Sequence, residues 1–237
     1  MTRRSPPASC QALSLPKRGN AADEYEDAFA ADSPAGRFAV ADGASESSFA
    51  GLWARLLVEG FVRPAPGWLD AARRSWAAGV GGQPLPWYAE AKRDDGAFAT
   101  LLGLVVGDGR WHALAVGDSC LFQVRQDRLI EAFPLRRSAE FGNRPLLIGS
   151  RPPVAPASEV RAEGRGGWQP ADRFLLMTDA LAQWFLRRHE AGDRPWEELT
   201  RLPTKPDASD AFATWVEERR RHDGLRNDDV TLVLVGV

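Results

Sequence analysis

The chain has 237 residues, of which 44% are hydrophobic and 26% charged, proportions that are ordinary for a globular protein. Its formal net charge of −2 provides no long-range attraction to nucleic acid or to an anionic membrane. The two cysteines cannot form a disulfide framework, the first residues lack the apolar stretch of a secretory signal, and no apolar run is long enough to span a bilayer. We therefore expect one domain over residues 1–237, located in the cytoplasm, without a nucleic-acid or membrane partner.

Short apolar runs bounded by turn residues predict buried strands along most of the chain. Residues 1–14, which include Pro6 and Pro7, are expected to form a loose tail or an edge strand. The predicted strands that follow are 28–32, 37–41, 98–106, 110–117, 119–125, 128–133, 172–177 and 230–236. Several neighbours are joined by short turns such as Gly107-Asp108-Gly109, which favours antiparallel hairpins over parallel crossovers.

Apolar side chains at helical spacing predict helices between the groups of strands. The apolar stripes cover residues 49–61, 68–76 and 212–216. Ser45 or Ser47 is the expected cap at the start of the first helix. Hairpins with helices inserted between strand groups indicate an α+β layered fold.

Acidic residues stand at the ends of four predicted strands. They are Glu26-Asp27 before 28–32, Asp42 after 37–41, Asp179 after 172–177, and Asp228-Asp229 before 230–236. Carboxylates at strand ends can converge at one edge of a β core, where each close pair repels by about 4 kcal/mol unless protons or cations neutralise it. Because ligand sets made only of oxygen favour Mg²⁺ or Mn²⁺, the pattern supports a metal-site hypothesis.

Each acidic signal also has an ordinary explanation when it is taken alone. Asp42-Gly43 is a common turn dipeptide, and Asp179 is well placed to cap a helix. Asp228-Asp229 would serve as a solvated turn, and Glu26-Asp27 as exposed charge. The metal-site hypothesis therefore depends on the four signals occurring together.

Five motifs in order resemble the metal-dependent type 2C protein phosphatases. They are Glu-Asp-Ala-Phe, Val-Ala-Asp-Gly, Ala-Val-Gly-Asp-Ser, Leu-Leu-Met-Thr-Asp and Asn-Asp-Asp-Val-Thr, and they extend over residues from about 17 to 237. The resemblance implies a phosphatase-like domain built as a four-layer α-β-β-α sandwich, with two antiparallel sheets flanked by helices. It also implies two Mg²⁺ or Mn²⁺ ions at one edge of the sandwich, and a weaker third.

The resemblance assigns the main metal-binding and catalytic roles to three aspartates. Asp42 would bridge two ions, and the carbonyl group of Gly43 would contact one of them. Asp179 and Asp228 would complete the shell of the first ion. Asp42, Asp179 and Asp228 are thus the predicted catalytic residues.

The second and third ions would use residues outside this core. By resemblance, Glu26 and Asp27 would hold the second ion, partly through water. Asp118 would support the weak third ion, although a simple hairpin turn explains it equally well. The family's further aspartate at the third site is replaced by Gln183, which weakens that site.

The implied reaction is hydrolysis of phosphoserine or phosphothreonine in a protein substrate by a metal-activated water, without a protein nucleophile. Cys120 and Arg125 are one residue too close for the Cys-x5-Arg spacing of cysteine phosphatases, which agrees with this reaction. The family's histidine after Asp-Gly is absent, so water would have to assist the leaving group. The family's phosphate-binding arginine is replaced by Ala22, and Lys17 or Arg18 are the candidates to substitute for it.

These departures keep two further functions open. One is a non-catalytic or weakly active binding module that retains the phosphatase fold. The other is a small-molecule phosphohydrolase with the same metal site and a different flap, which residues 141–145 would form.

Overall fold

A computed structural model describes residues 9–45, 47, 49–81, 95–142, 144–152, 161–203 and 208–237. The strands in these ranges are β1 (Ser9–Leu15), β2 (Ala28–Asp32), β3 (Arg37–Ala41), β4 (Phe98–Ala99), β5 (Leu101–Gly107), β6 (Arg110–Val116), β7 (Cys120–Arg125), β8 (Arg128–Phe133), β9 (Ile148–Gly149), β10 (Ala162–Gly167), β11 (Arg173–Met177) and β12 (Val230–Gly236). The helices are α1 (Ala50–Val62), α2 (Trp68–Val80), α3 (Asp179–Glu190), α4 (Pro195–Thr200) and α5 (Ala208–His222). Within the described ranges, no helix has the length and apolar character needed to cross a membrane.

The strands form two five-stranded sheets in which all neighbours are antiparallel. The first sheet has the order β1-β12-β11-β7-β8, and the second has the order β10-β6-β5-β3-β2. The short strands β4 and β9 pair separately. The predicted hairpins β2–β3, β5–β6 and β7–β8 are confirmed as direct neighbours.

Alternate residues of the central strands are buried on opposite faces. In β11, Phe174 and Leu176 lie between the two sheets, while Leu175 and Met177 face the cluster around α3, α4 and α5. On the second sheet, one face of β3 meets the first sheet and the other packs beneath α1 and α2. The predicted α-β-β-α layering is therefore confirmed, with the central strands apolar on both sides because each sheet is covered on both faces.

Helix α1 lies directly on β5, at a position where β5 has no side chain. A Cβ atom at Gly103 would stand 2.2 Å from the nearest ring atom of Phe61, so any other residue would push the helix away. Trp53 of the same helix is fully buried, and its indole N–H donates to the carbonyl group of Ile148 at 2.8 Å. The predicted apolar stripe of the first helix is thus the face that packs on the sheet.

Aromatic contacts hold α3 and α5 on the other side of the sandwich. The Phe185 ring stacks on Phe122 of β7, with 4.1 Å between the ring centroids. Trp184 meets Trp215 of α5 edge to face at 5.1 Å. Because α3 begins immediately after β11, this packing fixes the position of its first turn.

The turns of the β5–β6 and β7–β8 hairpins have the backbone twist that antiparallel strands require. Asp108 and Gly109 have φ angles of 49° and 72°, and Gln126 and Asp127 have φ angles of 45° and 58°. Two successive residues with positive φ match the right-handed twist of the paired strands.

Several sequence predictions need correction. The predicted strand 98–106 is interrupted at Thr100, so that β4 and β5 belong to different sheets. Neither Ser45 nor Ser47 caps α1: Phe49 is the capping residue, with φ 62°, and the Ser47 hydroxyl donates instead to the carbonyl group of Ala44.

Other elements were not predicted or were left open. The edge-strand alternative for the start of the chain is confirmed for β1, which pairs with β12, while residues 1–8 lie outside the described ranges. Strand β10 was not predicted because three of its six residues are glycines, and its pairing with β6 defines it instead. Helix α4 is too short to carry a periodic signal.

A buried carboxylate at the start of β11 anchors the end of the sandwich opposite the end where Met177 lies. Asp172 is 1% exposed and accepts hydrogen bonds from Nε and Nη2 of Arg125, both at 2.7 Å, and from Nε2 of Gln123 at 2.7 Å. Gln123 in turn accepts a hydrogen bond from the indole N–H of Trp111 in the other sheet. The network therefore ties the two sheets together with every carboxylate oxygen satisfied.

We expect Asp172→Ala to reduce the free energy of unfolding by about 3 kcal/mol, because it leaves Nε of Arg125 and the backbone N–H of Gln169 without an acceptor and leaves Gln123 only the carbonyl group of Gly167. Urea denaturation would measure the change. Glu163→Ala, which removes an exposed partner of Arg165, is the matched control and should leave the stability almost unchanged. Equal losses in the two variants would contradict the role given to Asp172.

The same variant has a defined pH dependence. Burial raises the pKa of Asp172, but the hydrogen bonds from Arg125, the Gln169 backbone and Gln123 outweigh it, so its pKa lies below the usual value. Because the folded pKa is depressed, the carboxylate stabilises the fold fully above its unfolded pKa of about 3.9 and loses this effect as the pH falls. The difference between wild type and Asp172→Ala should therefore shrink in urea titrations below about pH 4.

Candidate metal centre

Strand register brings the acidic residues of the second sheet to one end of the sandwich. Ala28 of β2 is paired with Ala41 of β3. Asp27 precedes the first of these residues and Asp42 follows the second, so the two aspartates leave the sheet side by side. The expectation that strand-end carboxylates converge is confirmed for this pair.

The first sheet supplies three more aspartates at the same end. Met177 at the end of β11 is paired with Cys120 of β7 and with Leu232 of β12. Asp118 lies just before β7, Asp179 just after β11, and Asp228 just before β12. The charges of Asp27, Asp118, Asp179 and Asp228 all act on Asp42, which stands at the centre of the group.

Thr100 fixes the backbone of Asp42 from both directions. The backbone N–H of Asp42 donates to the Thr100 hydroxyl oxygen at 3.0 Å, and the backbone N–H of Thr100 donates to the carbonyl group of Asp42 at 2.8 Å. Burial, followed by the charges of the neighbouring aspartates, raises the pKa of Asp42 well above its usual value. The interruption of the predicted strand at Thr100 thus contributes directly to the site.

Asp27 is held by two threonine hydroxyls and has one oxygen without a partner. It is 3% exposed, and its Oδ2 accepts hydrogen bonds from Thr178 at 2.9 Å and from Thr231 at 2.7 Å. Its Oδ1 is buried and has no hydrogen-bond partner among the described residues. Burial raises the pKa of Asp27 to about 8.

Asp118 is the second buried carboxylate with a free oxygen. It is buried between β6 and β7, and its Oδ1 has no hydrogen-bond partner in the described part of the chain. Burial and then the charge of Asp179 raise its pKa to about 6. Its open oxygen points to more than the simple hairpin turn considered from the sequence.

Asp179 and Asp228 are the remaining two aspartates whose charges act on Asp42. Asp179 is the first residue of α3, where its Oδ1 accepts the backbone N–H of Ala180 at 2.5 Å and its Oδ2 is paired with Arg226. Asp228 accepts the backbone N–H of Asp229 at 3.0 Å. Burial and then the charge of Asp179 raise the pKa of Asp228.

Asp229 fixes the loops on which the other residues are carried. It is 5% exposed, and its two oxygens accept the backbone N–H groups of Lys17 at 2.8 Å and Glu26 at 2.7 Å. With both oxygens occupied by backbone donors, Asp229 has a structural role that differs from that of Asp228. In the sequence, Asp228 and Asp229 form a single acidic signal, so their different roles could not be predicted.

Glu26 stands at the margin of the cluster. Its carboxylate accepts the Ser45 hydroxyl at 2.5 Å and lies 3.9 Å from the ammonium group of Lys17. Burial raises the pKa of Glu26 despite these contacts. Glu26 therefore faces the opening beside Lys17 and Ser45, while its neighbour Asp27 faces the interior.

Gly43 follows Asp42 at a point where the chain has no room for a side chain. A Cβ atom there would stand 2.8 Å from the carbonyl oxygen of Glu26. Gly43 also forms an isolated bridge with Ala99 of β4. This close approach keeps the Asp42 loop against the Glu26 loop. The Gly43 carbonyl, which was expected to contact a metal ion, lies at this position.

The chemistry of these side chains fits a divalent cation. Two buried carboxylate oxygens lack a partner, the donors are hard oxygens, and no described cation lies within ion-pair distance of Asp27, Asp42, Asp118 or Asp228. The raised pKa values are what mutual repulsion and burial produce when nothing neutralises the charges. Across the described ranges, however, no three acidic, histidine or cysteine side chains form a ready set of ligands for one ion.

The structure also bears on three other features discussed from the sequence: the Cys120 thiol, the Gln183 side chain and the suggested flap. Cys120 is fully buried, and burial raises the pKa of its thiol far above neutrality, so it is not a thiolate nucleophile. The side chain of Gln183 donates to the carbonyl group of Ser138 at 3.4 Å, away from Asp118. The suggested flap at residues 141–145 includes residue 143, which lies outside the described ranges.

The sequence did not point to four residues that contact the aspartates: Thr178, Thr231 and Arg226 contact carboxylate groups, and Thr100 contacts the backbone of Asp42. The three threonines stand next to strand ends, and a polar residue there that becomes fully buried is the only signal that could have found them. Arg226 gives no signal in sequence, because its contact with Asp179 joins segments 47 residues apart.

The structure resembles solved serine/threonine phosphatases over nearly its whole length. PstP/Ppp of Mycobacterium tuberculosis matches with a TM-score of 0.62 and 20% identity over 97% of this chain and 98% of that chain. The catalytic domain of PstP in complex with 2 manganese ions matches with a TM-score of 0.61 and 19% identity, over 97% of each chain. PppA of Pseudomonas aeruginosa matches with a TM-score of 0.58 and 20% identity, over 99% of each chain.

At identities this low, the structural matches establish the fold alone. A sequence comparison with curated proteins gave no match. The profile of the protein phosphatase 2C family matches residues 21–217, which is most of the chain and includes all the candidate ligands except Asp228. The chain belongs to the protein phosphatase 2C family.

Proposed function

We propose that this protein is a Mg²⁺- or Mn²⁺-dependent phosphatase that hydrolyses phosphoserine or phosphothreonine in proteins. The observation that supports it most is the group of five aspartates at one edge of the sandwich, in which Asp27 and Asp118 each keep a buried oxygen without a partner. Family membership and the manganese ions of the PstP catalytic domain point the same way.

The residues proposed to hold the ions are those that the sequence suggested. Asp42, Asp179 and Asp228 would hold one ion, and Glu26, Asp27 and the Gly43 carbonyl would hold a second together with Asp42. Asp118 would serve a weaker third. Bound divalent ions would supply a hydroxide nucleophile at neutral pH and neutralise charge on the phosphoryl oxygens.

A cation beside the carboxylates would bind the phosphate group of the substrate. The Lys17 ammonium group lies 3.3 Å from the Ser45 hydroxyl and 3.9 Å from Glu26, in a cleft of about 480 Å³ that Phe49 and Arg55 also line. Arg18 points elsewhere, because its guanidinium is paired with Glu217 of α5. Of the two candidates, Lys17 is therefore the one proposed to meet the phosphate group.

A non-catalytic binding module is the second candidate function. The contact between Arg226 and Asp179 favours it, because one of the proposed ligands is already paired with a cation. No described histidine contacts the cluster to assist a leaving group. A phosphatase releases phosphate from its substrate, whereas a binding module does not, so measuring phosphate release distinguishes the two functions.

Metal-dependent hydrolysis is the first expected outcome. p-Nitrophenyl phosphate and a phosphothreonine peptide should release phosphate with Mn²⁺ or Mg²⁺ and should not do so with EDTA. Faster release from the peptide would support a protein substrate. If calorimetry shows bound Mn²⁺ and neither compound is hydrolysed, the binding module becomes the better account.

Asp42→Asn should reduce metal-dependent phosphate release to background, because it removes the central charge of the cluster. Its melting temperature without metal should stay the same or rise, since one of several repelling carboxylates has been neutralised at equal volume. Activity assays and circular dichroism would measure the two effects. Asp108→Asn, in an exposed turn, is the control, and full activity in Asp42→Asn would refute the site assignment.

Lys17→Ala should lower kcat/KM for the phosphothreonine peptide by about tenfold, which is the effect expected from one lost charge-assisted hydrogen bond. Arg18→Ala removes the same charge from the next residue and should leave kcat/KM within about twofold. Steady-state kinetics of the two variants would measure the difference. A larger loss in Arg18→Ala would show that the wrong cation had been chosen.

A further inference from the structure

Asp179 differs from the other aspartates of the cluster because both of its oxygens are occupied. Its Oδ1 accepts the backbone N–H of Ala180 at 2.5 Å, and its Oδ2 is paired with Nη2 of Arg226. Asp27 and Asp118, in contrast, each retain one oxygen without a partner among the described residues. An ion that is to use Asp179 therefore finds the outer oxygen already bound to a guanidinium.

Arg226 is the cation of the described residues that stands among these carboxylates. Besides its contact with Asp179, its charge acts on Asp228 and Asp118. Lys17, the other nearby cation, lies at the margin beside Glu26. Arg226 thus supplies positive charge where a divalent ion would otherwise supply it.

The local structure allows this side chain to leave without moving its backbone. The preceding residue, Leu225, is buried and its backbone N–H donates to Arg219 at 3.2 Å, and the carbonyl group of Arg226 accepts the backbone N–H of Asp228 at 3.1 Å. The Arg226 side chain, however, is 44% exposed. Exposed side chains change rotamer rapidly, so release from Asp179 requires only rotation about side-chain bonds.

We propose that Arg226 is the resident counter-cation of Asp179 in the metal-free protein and that a divalent ion must displace it in order to bind there. This inference rests on the proposed function, since it concerns how the same site takes its ion. Arg226 is a positioning residue in this scheme, because it acts through Asp179. The exchange makes metal binding weaker than the carboxylates alone would allow, and it limits repulsion at the edge of the sandwich when no ion is present.

Arg226→Gln, which keeps a polar side chain and removes the charge, tests the exchange. Calorimetric titration with Mn²⁺ should give a dissociation constant about tenfold lower than that of the wild type, because no guanidinium has to leave. In EDTA the same variant should melt at a lower temperature, because the repulsion around Asp179 is no longer relieved. A purely structural arginine would lower the melting temperature and leave Mn²⁺ affinity unchanged or weaker.

Arg18→Gln is the matched control for long-range charge. It also removes one positive charge from this end of the protein, since the backbone N–H of Arg18 is bonded to Asn227 beside Arg226, but its guanidinium contacts Glu217. A gain in Mn²⁺ affinity confined to Arg226→Gln supports displacement from Asp179. An equal gain in both variants would mean that net charge alone is responsible and would overturn the exchange.

The remaining outcomes separate the exchange from the function on which it rests. If the wild type and both variants bind Mn²⁺ equally, the exchange is wrong and the proposed phosphatase stands. If Mn²⁺ binds to Arg226→Gln but not to the wild type, the ion does not displace Arg226, and both the exchange and the proposed metal-dependent function of the wild type are overturned. If Mn²⁺ binds to none of the three proteins, both the exchange and the proposed metal-dependent function are overturned.

Discussion

Repulsion among carboxylates at one edge of the sandwich is the constraint on which the local structure depends. Burial and mutual charge raise the pKa values of Asp27, Asp42, Asp118 and Asp228, which indicates how unfavourable their ionised forms are together. The loops stay in place because neutral donors bind two of the carboxylates: threonine hydroxyls donate to Asp27, and the backbone N–H groups of Lys17 and Glu26 donate to Asp229. The edge is therefore held in shape by contacts that leave much of its charge available to a ligand.

Buried aspartates near the two ends of β11 differ in whether their carboxylate oxygens have hydrogen-bond partners. At one end, Asp172 has a bidentate arginine and further donors for both of its oxygens. At the other end, Asp27 and Asp118 are equally buried and each retains a free oxygen. A satisfied buried carboxylate is explained by stability, whereas an unsatisfied one calls for a ligand. This contrast within a single chain supports the assignment of function to the second end.

The departures from the family pattern also have structural consequences. Ser45, which follows the position where Ala44 replaces the family's histidine, links Glu26 and Lys17 through its hydroxyl. The backbone of Lys17 is fixed by Asp229, so the lysine is carried on the same support as the carboxylates. The chain thus has its own arrangement at the opening of the site, where Lys17 is the cation proposed in place of the family's arginine.

The sequence by itself determined the layered α+β fold, most strand positions and the acidic residues that gather at one edge. These followed from strand periodicity and from turn residues, which are local properties read directly from neighbouring positions. Only the tertiary structure decided that Asp229 anchors two loops, that Thr178 and Thr231 hold Asp27, and that Arg226 occupies Asp179. Each of these contacts joins segments far apart in the chain, and hydrogen-bond partners at such separations depend on packing and strand register, which no local pattern encodes.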